Sequence, residues 1–279
     1  NISKIFLSKD SSLVIGSLGG GVLILRNNGN WVVLNGWTGF CGDSIIDIME
    51  NNKGELMILS ERGLTIVNED NSVKLYNNEN SLLYGSNYFR IEKMSGGDYF
   101  AIVGEMGICL YKDSLLKMIT VLYDKYGNNY YLNNIKNVVA IDDSLLLVYN
   151  NNELIKLNVF NNEYSIVGNY VGIDIIIKSE EGRLFLYSSN TGILSSDVGL
   201  NVFDTILISD IPNDVHSVDK LISEYVDSLW VISEGRLFLM DAGKVNLGGD
   251  ISICRGETVK LKVKGDIDSC RWNNEETLR

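Results

Sequence analysis

The chain of 279 residues is poor in three residue types: it has one proline, one histidine and four cysteines. With Pro212 alone, its turns must be built from Gly, Asn and Asp, the residues that tolerate a left-handed backbone. With His216 alone, and no serine or cysteine elbow beside it, there is no positive case for a nucleophile-histidine centre. The ring reads as a packed or exposed strand residue, and Asp210, Asp214 and Asp219 around it read as loop residues. The cysteines show neither CxxC nor zinc-finger spacing, so no metal site and no cofactor is expected. Cys41, in a connection, and Cys109, in a strand, read as free thiols or a chance pair. Cys254 and Cys270 lie 16 positions apart near the C-terminal end. They are a candidate disulfide, which would suit an oxidising compartment but whose geometry is not written in sequence.

Long apolar runs are also missing. No stretch of about 18 apolar residues exists, so no membrane-spanning segment is expected. Basic charge is short: 24 Lys and Arg stand against 36 Asp and Glu, a net −12, which favours solubility and argues against nucleic acid as a partner. The acidic residues are scattered and read as a solvated surface. The opening, NISKIFLSKD, carries no basic-then-apolar leader, so the chain reads as a mature or excised piece.

What is present is a repeat. In Ile45 to Val67, Ile46 and Ile48 alternate with Asp47, Asn51-Asn52-Lys53-Gly54 turns the chain, and Leu56 to Leu59 runs back. Glu61-Arg62-Gly63 makes a hairpin loop into Leu64 to Val67, and an outer strand follows near Val73 to Tyr76. Five other segments overlay this one on the first large apolar residue of the second strand: Leu13, Leu56, Phe100, Leu145, Leu184 and Leu229, in steps of 43, 44, 45, 39 and 45. Four positions on stand Ser17, Ser60, Gly104, Ser188 and Ser233, with Tyr149 as the exception. Next comes Gly21, Gly63, Gly107, Gly192 or Gly235, replaced in the fourth copy by Asn150-Asn151-Asn152. Four short strands with a period in the low forties predict an all-β fold, a β-propeller of six four-stranded antiparallel blades, alternatively seven. Neighbouring blades should bury their apolar faces together, with the first blade joined to the last.

Several tempting motifs dissolve into turns. Gly19-Gly20-Gly21 is followed by the strand Val22 to Leu25 where a phosphate cradle needs a helix, so it reads as a hairpin turn. Asp142-Asp143 and Glu180-Glu181-Gly182 occupy the same turn column. Adjacent strand residues face opposite ways and no third ligand has metal-loop spacing, so both read as turn chemistry. No catalytic residue is assigned. Aromatics in connections are the binding candidates: Trp37 and Phe40 after the first copy, and Tyr123, Tyr126, Tyr130 and Tyr131 in a long connection after the third.

GSLGGGVLI, the NGNW outer strand and SIIDIMENNKGELMILSERGL are similar to the two-component regulator propeller repeat of extracytoplasmic sensors of the Bacteroidetes, and Leu229-Trp230-Val231-Ile232-Ser233 matches its LW strand. Ser or Gly here replaces the usual Gly-Thr ending of that strand. The resemblance spans roughly residues 1 to 245 and implies a non-enzymatic extracytoplasmic binding or scaffold module for a glycan, peptide or protein. The alternatives are a subunit of a cell-surface or secretion assembly and a propeller-fold lyase or glycosidase, which would need carboxylates converging from different blades. From about Asp250, ISICRGETVKLKVKGDIDSCRW resembles the opening of an immunoglobulin-like module with Trp272 as its core Trp. About 30 residues remain where such a sandwich needs about 100, so either the module is truncated or these strands pack on the propeller's side. The domain division expected is 1–248 for the propeller and 249–279 for a C-terminal β segment.

Overall fold

The computed structural model describes residues 1–83, 87–150, 152–197, 199–200, 204–206, 218–225 and 228–241. The expected segment 249–279, Trp272, the Cys254/Cys270 pair, His216, Asp210 and Asp214 lie outside the described residues.

Six antiparallel meanders follow one another, each ordered as in sequence. Blade 1 is β1 (Ile2–Leu7), β2 (Leu13–Ser17), β3 (Val22–Leu25) and β4 (Trp31–Leu34). Blade 2 is β5 (Ile45–Glu50), β6 (Leu56–Ser60), β7 (Gly63–Val67) and β8 (Val73–Asn77). Blade 3 is β9 (Tyr88–Lys93), β10 (Phe100–Gly104), β11 (Gly107–Lys112) and β12 (Ser114–Ile119). The small hairpin β13 (Val121–Tyr123) and β14 (Asn129–Tyr131) leads to blade 4, β15 (Ile135–Ala140), β16 (Leu145–Asn150), β17 (Glu153–Asn158) and β18 (Tyr164–Asn169). Blade 5 is β19 (Ile173–Lys178), β20 (Leu184–Ser188), β21 (Gly192–Ser196) and β22 (Asp204–Ile206). Blade 6 shows β23 (Lys220–Tyr225), β24 (Ser228–Ser233) and β25 (Arg236–Asp241) among the described residues. The fold is a six-bladed β-propeller.

The alternation of side chains along each middle strand explains the packing. Leu56 and Ile58 of β6 face blade 1, in a cluster with Val14, Ile24 and Ile48. Met57 and Leu59 face the other way, into a cluster with Ile102 and Tyr111 of blade 3. Both faces of the sheet are covered, which is why β6, β7, β10 and β11 read as nearly unbroken apolar runs. Three further clusters join blade 3 to 4, 4 to 5 and 5 to 6, so each of these five junctions has its own slab of core.

The sixth junction differs. Register puts Ile5, Ile15, Leu23 and Val33 on the blade 1 face turned away from blade 2, and Ile5, Leu7, Trp31 and Val33 are exposed there. Leu237 and Leu239 are likewise exposed on blade 6. Among the described residues, blade 1 is not joined to blade 6 by a packed slab like those of the other five junctions.

The glycine column is required twice over. Gly63 has φ 145° and Gly21 has φ 76°, and a Cβ would lie 2.1 Å from the Tyr76 carbonyl oxygen or 2.2 Å from that of Leu34. In the fourth copy Asn152 takes φ 75°, the left-handed turn expected of that Asn run. The serine before the glycine secures the same hairpin, because Ser17 and Ser60 donate through Oγ to the carbonyls of Gly21 and Gly63, each at 3.1 Å.

One anchor moves by a residue. Leu56, Phe100 and Leu184 pair with the last residues of their inner strands, Glu50, Lys93 and Lys178, and the residue that pairs with Ala140 is Leu146, not Leu145. Shifted by one, the fourth copy puts Asn150 in the small-residue column and removes Tyr149 as an exception. The cause is the Asp142 turn: its Oδ1 accepts from the N–H of Ser144 at 2.7 Å and of Leu145 at 2.8 Å, which holds Leu145 at the turn's edge. Because one residue of slip exchanges the two faces of a strand, the correction is testable. Leu146→Ala should cost about 2–5 kcal/mol by urea unfolding, and Leu145→Ala less than half as much. Equal losses would speak for Leu145 as the anchor. Gly63→Ala should cost at least about 1–3 kcal/mol. Gly29→Ala, with φ 82° but no atom within 4 Å of the added Cβ, should cost clearly less by the same measurement.

Candidate functional site: the central channel and the exposed aromatics

The inner strands surround a channel. In blades 1 to 5 each begins with a register shift, at Ile2/Lys4, Ile45/Asp47, the pairing of Tyr88 and Arg90, Ile135/Asn137 and Ile173/Ile175. A bulge re-aims the residue after it. Those residues, Lys4, Asp47, Arg90, Asn137 and Ile175, together with Lys220 of blade 6, line a cavity of about 380 Å³. A second cavity of about 780 Å³ continues past Arg90, Glu92 and Lys220 to the turns that follow the inner strands.

Most of the polar side chains here stitch blades together. An inner strand has one edge without a partner strand, and its N–H groups need acceptors. Asp47 Oδ2 accepts from Ile91 N at 2.8 Å across the junction of blades 2 and 3, while Oδ1 takes Ile48 N at 3.0 Å and Lys4 Nζ of blade 1 at 2.6 Å. Glu92 Oε1 accepts from Ala140 N of blade 4 at 2.9 Å, and Oε2 meets Arg90 Nε at 3.0 Å. Arg90 also donates to Asn137 Oδ1 at 3.3 Å, and Asn137 Nδ2 donates to the Asp174 carbonyl of blade 5 at 3.1 Å. Glu50, at the end of β5 and facing the preceding blade, accepts from Lys9 N of blade 1 at 2.7 Å. Sequence reasoning missed this set. The available signal was a polar column, Lys4, Asp47, Arg90, Asn137 and Lys220, recurring in otherwise apolar inner strands.

The carboxylates a lyase or glycosidase would need do converge: Asp47, Glu92, Asp174 and Asp219 come from four blades and line the smaller cavity. All four already accept backbone N–H groups, Asp174 from Ser189 at 3.3 Å and Asp219 from Glu234 at 2.8 Å. Burial pushes the Glu92 carboxyl above its ordinary range, against the opposing pull of Arg90 and the Ala140 N–H. Burial also lowers the Lys178 ammonium, partly offset by Glu92, Asp142 and Asp143. Among the described residues no cluster of three or more His, Cys, Asp or Glu could hold a metal ion, and no helix is long and apolar enough to cross a membrane.

The aromatic candidates separate. Trp37 is 94% exposed on the 3₁₀ turn Gly36–Thr38 between blades 1 and 2. That turn is held rigidly: Asn35 Oδ1 accepts from Trp37 N at 3.0 Å, Asn35 N donates to Thr38 Oγ1 at 2.7 Å, and Gly36 N donates to Asp43 Oδ1 at 2.6 Å. Phe40, three residues on, is only 6% exposed and belongs to the slab between blades 1 and 2, so it is a core residue and not a surface contact.

The long connection carrying the tyrosines is no irregular loop. It is the hairpin β13–β14, tied to Asn162, whose carbonyl accepts from Tyr123 N at 2.9 Å, and through the Tyr130 hydroxyl to Asn150 and Glu153. Those two blade 4 turns lie at opposite ends of β17, so the hairpin crosses the rim of the disc. Leu122 and Tyr130 turn inward, and burial, aided by Glu153, pushes the Tyr130 hydroxyl up to about 12. Tyr123, Tyr126 and Tyr131 are exposed. Trp37 stands two junctions away, so the six candidates do not form one patch. Cys41 and Cys109 are free, and burial pushes the Cys109 thiol up to about 12, an unreactive group.

No protein-family model matches the chain, and no curated protein matches it in sequence. Solved structures do resemble it. The extracellular domain of a hybrid two-component system of B. thetaiotaomicron superposes with TM-score 0.64 and 12% identity over 87% of this chain and 33% of that one. PorZ, a surface component of the type-IX secretion system of Porphyromonas gingivalis, gives 0.56 and 12% over 87% and 31%. Virginiamycin B lyase from Staphylococcus aureus gives 0.60 and 10% over 86% and 80%. The chain thus spans about a third of the length of the first two proteins. At such identities the likeness is one of fold, and the repeat resemblance seen in the sequence agrees with it.

The stitching of Glu92 has a pH signature. Its folded-state pKa is raised, so between its ordinary value and the raised one the folded chain holds more protons than the unfolded chain, and its contribution to stability falls as pH rises through that window. Glu92→Gln removes this dependence while keeping an acceptor for Ala140 N. The melting midpoint of the variant minus that of the wild type should therefore increase from pH 5 to pH 7.5. A difference that is flat or shrinking across that range would contradict the raised value.

Proposed function

We propose that the chain is a non-enzymatic binding or scaffold module working outside the cytoplasm, which takes a protein or glycan on the disc face that carries Trp37. One observation carries this reading: a fully presented indole on a turn whose backbone is fixed by three side-chain hydrogen bonds. A large amphipathic side chain already held in place loses little conformational freedom on binding, which is the usual profile of an interface hot spot. The likeness to extracellular domains supports the location, and the repeat resemblance supports a role in recognition. The occupied state of Asp47, Glu92, Asp174 and Asp219 favours binding over hydrolysis or elimination, since each is already committed to backbone donors.

A second reading makes the chain a subunit of a cell-surface or secretion assembly. It is favoured by the β13–β14 hairpin, which exposes Tyr126 and Tyr131 two junctions from Trp37, and by the likeness to PorZ.

A glycan array and a pull-down from native envelope, run with wild type and Trp37→Ala, separate the two. Loss of at least about tenfold in ligand affinity with an unchanged melting midpoint supports the Trp37 face. Undiminished capture by the variant, with loss on Tyr126→Ala and Tyr131→Ala, would move the contact to the rim and favour the assembly reading.

A further inference from the structure

The larger channel cavity has a charge unlike that of the rest of the protein. The whole chain carries 36 acidic against 24 basic residues, yet this cavity is lined by Arg90, Lys93, Lys178 and Lys220 against Glu92 and Glu180. Three carboxylates act on Lys178, and all are engaged elsewhere: Glu92 by Arg90 and the Ala140 N–H, Asp142 by its own turn and Asp143 by the Gly96 N–H. Lys178 is half-buried and its ammonium donates only to neutral oxygens, Ser95 Oγ at 3.0 Å and the Ile141 carbonyl at 2.8 Å. Lys93 and Lys220 make no ion pair among the described residues, where a salt bridge is recorded for Lys4, Lys9, Lys53 and Lys112.

These cations come from three blades and line an open cavity of about 780 Å³, a volume within the range of small-molecule pockets. The smaller cavity, towards the opposite mouth, is lined by Asp47, Glu92, Asp174 and Asp219 against Lys4, Arg90 and Lys220. The balance of charge therefore shifts from acidic to basic along the channel, with Arg90 and Lys220 common to both cavities. Low-dielectric walls concentrate such a field on whatever enters.

We propose that the basic end of the channel binds a small oxyanion-bearing molecule, its carboxylate or sulfate group seated among Lys178, Lys220 and Arg90. Arg90 supplies a planar donor held in place by Glu92 and Asn137, and the two lysines supply mobile ammonium groups on either side. A sugar acid fits the cavity and would leave its hydroxyls to Ser95, Ser179 and the turn carbonyls. The site lies at the end of the channel away from Trp37 and does not depend on the reading of that face.

The test is calorimetric titration of the full chain with glucuronate, inorganic sulfate and, as the neutral control, glucose. Saturable binding of glucuronate or sulfate, weakening with ionic strength, with no binding of glucose, is the expected result. Sulfate binding without glucuronate would identify a bare oxyanion as sufficient, and glucuronate alone would identify a sugar acid. Lys220→Gln, a change at an exposed side chain that spares the fold, should weaken the anion at least ~tenfold, as should Lys178→Met, whereas Lys125→Gln on the rim and Trp37→Ala should leave it unchanged. The proposal is overturned by equal binding of glucuronate and glucose, by no saturable binding of either anion, or by an affinity untouched in the Lys178→Met/Lys220→Gln double variant.

Discussion

A four-stranded sheet with apolar side chains on both faces cannot stand alone in water, and everything else in this structure follows from that. Each middle strand sends alternate residues to opposite sides, so each blade needs two neighbours. Leu56 and Ile58 are satisfied by blade 1, and Met57 and Leu59 by blade 3. Fully burying one such side chain contributes roughly 1.5–3 kcal/mol, and each slab gathers several, so blade-to-blade packing outweighs any single turn or ion pair. The same requirement makes the far faces of blades 1 and 6 notable. Ile5, Leu7, Trp31, Val33, Leu237 and Leu239 are the residues that the other five junctions would have buried.

Packing brings sheets together but leaves the edges of the inner strands without partners. Here side chains from the neighbouring blade or from the strand itself serve as acceptors: Asp47 for Ile48 and Ile91, Asn137 for Val138, and Glu92 for Ala140. This changes what the channel means. Acidic residues from different blades gathered round an axis look like a catalytic set, yet Asp47 and Glu92 accept N–H groups of the next blade, and Asp174 and Asp219 accept them within their own blades. At the other end of the channel Lys178 donates only to neutral oxygens and Lys220 makes no ion pair among the described residues, which is the basis of the anion site proposed there. The exposed indole of Trp37 belongs to a separate surface, fixed by its own turn.

Much of the architecture is legible in the sequence because turns and periods are local. Gly63 and Gly107 recur where the outer strand crosses close to the hairpin, and no other residue fits there. Asp142 reads as turn chemistry and is so, since its carboxylate caps its own loop. What sequence does not place depends on neighbours. Leu145 and Leu146 are equally apolar, and only the pairing with Ala140 tells them apart. Phe40 and Trp37 share one loop, and the face of blade 2 takes the first and leaves the second in water. The β13–β14 hairpin is hidden in a polar connection. Its short alternating strands on either side of Asp124-Lys125-Tyr126-Gly127-Asn128 are a signal, but one that falls outside the repeat. The stitching column becomes visible only with the bulges that aim it.

Carboxylates and an amide, drawn from the neighbouring blade or from the strand itself, close the free edges of the inner strands. Residue-resolved hydrogen exchange by NMR reads those edges directly at the amides of Ile48, Ile91, Val138 and Ala140. The account predicts protection comparable to that of the buried mid-blade amides of Met57 and Ile102. Exchange at the rate of an open edge strand would show that the inner strands are unstitched and that the polar column has some other purpose.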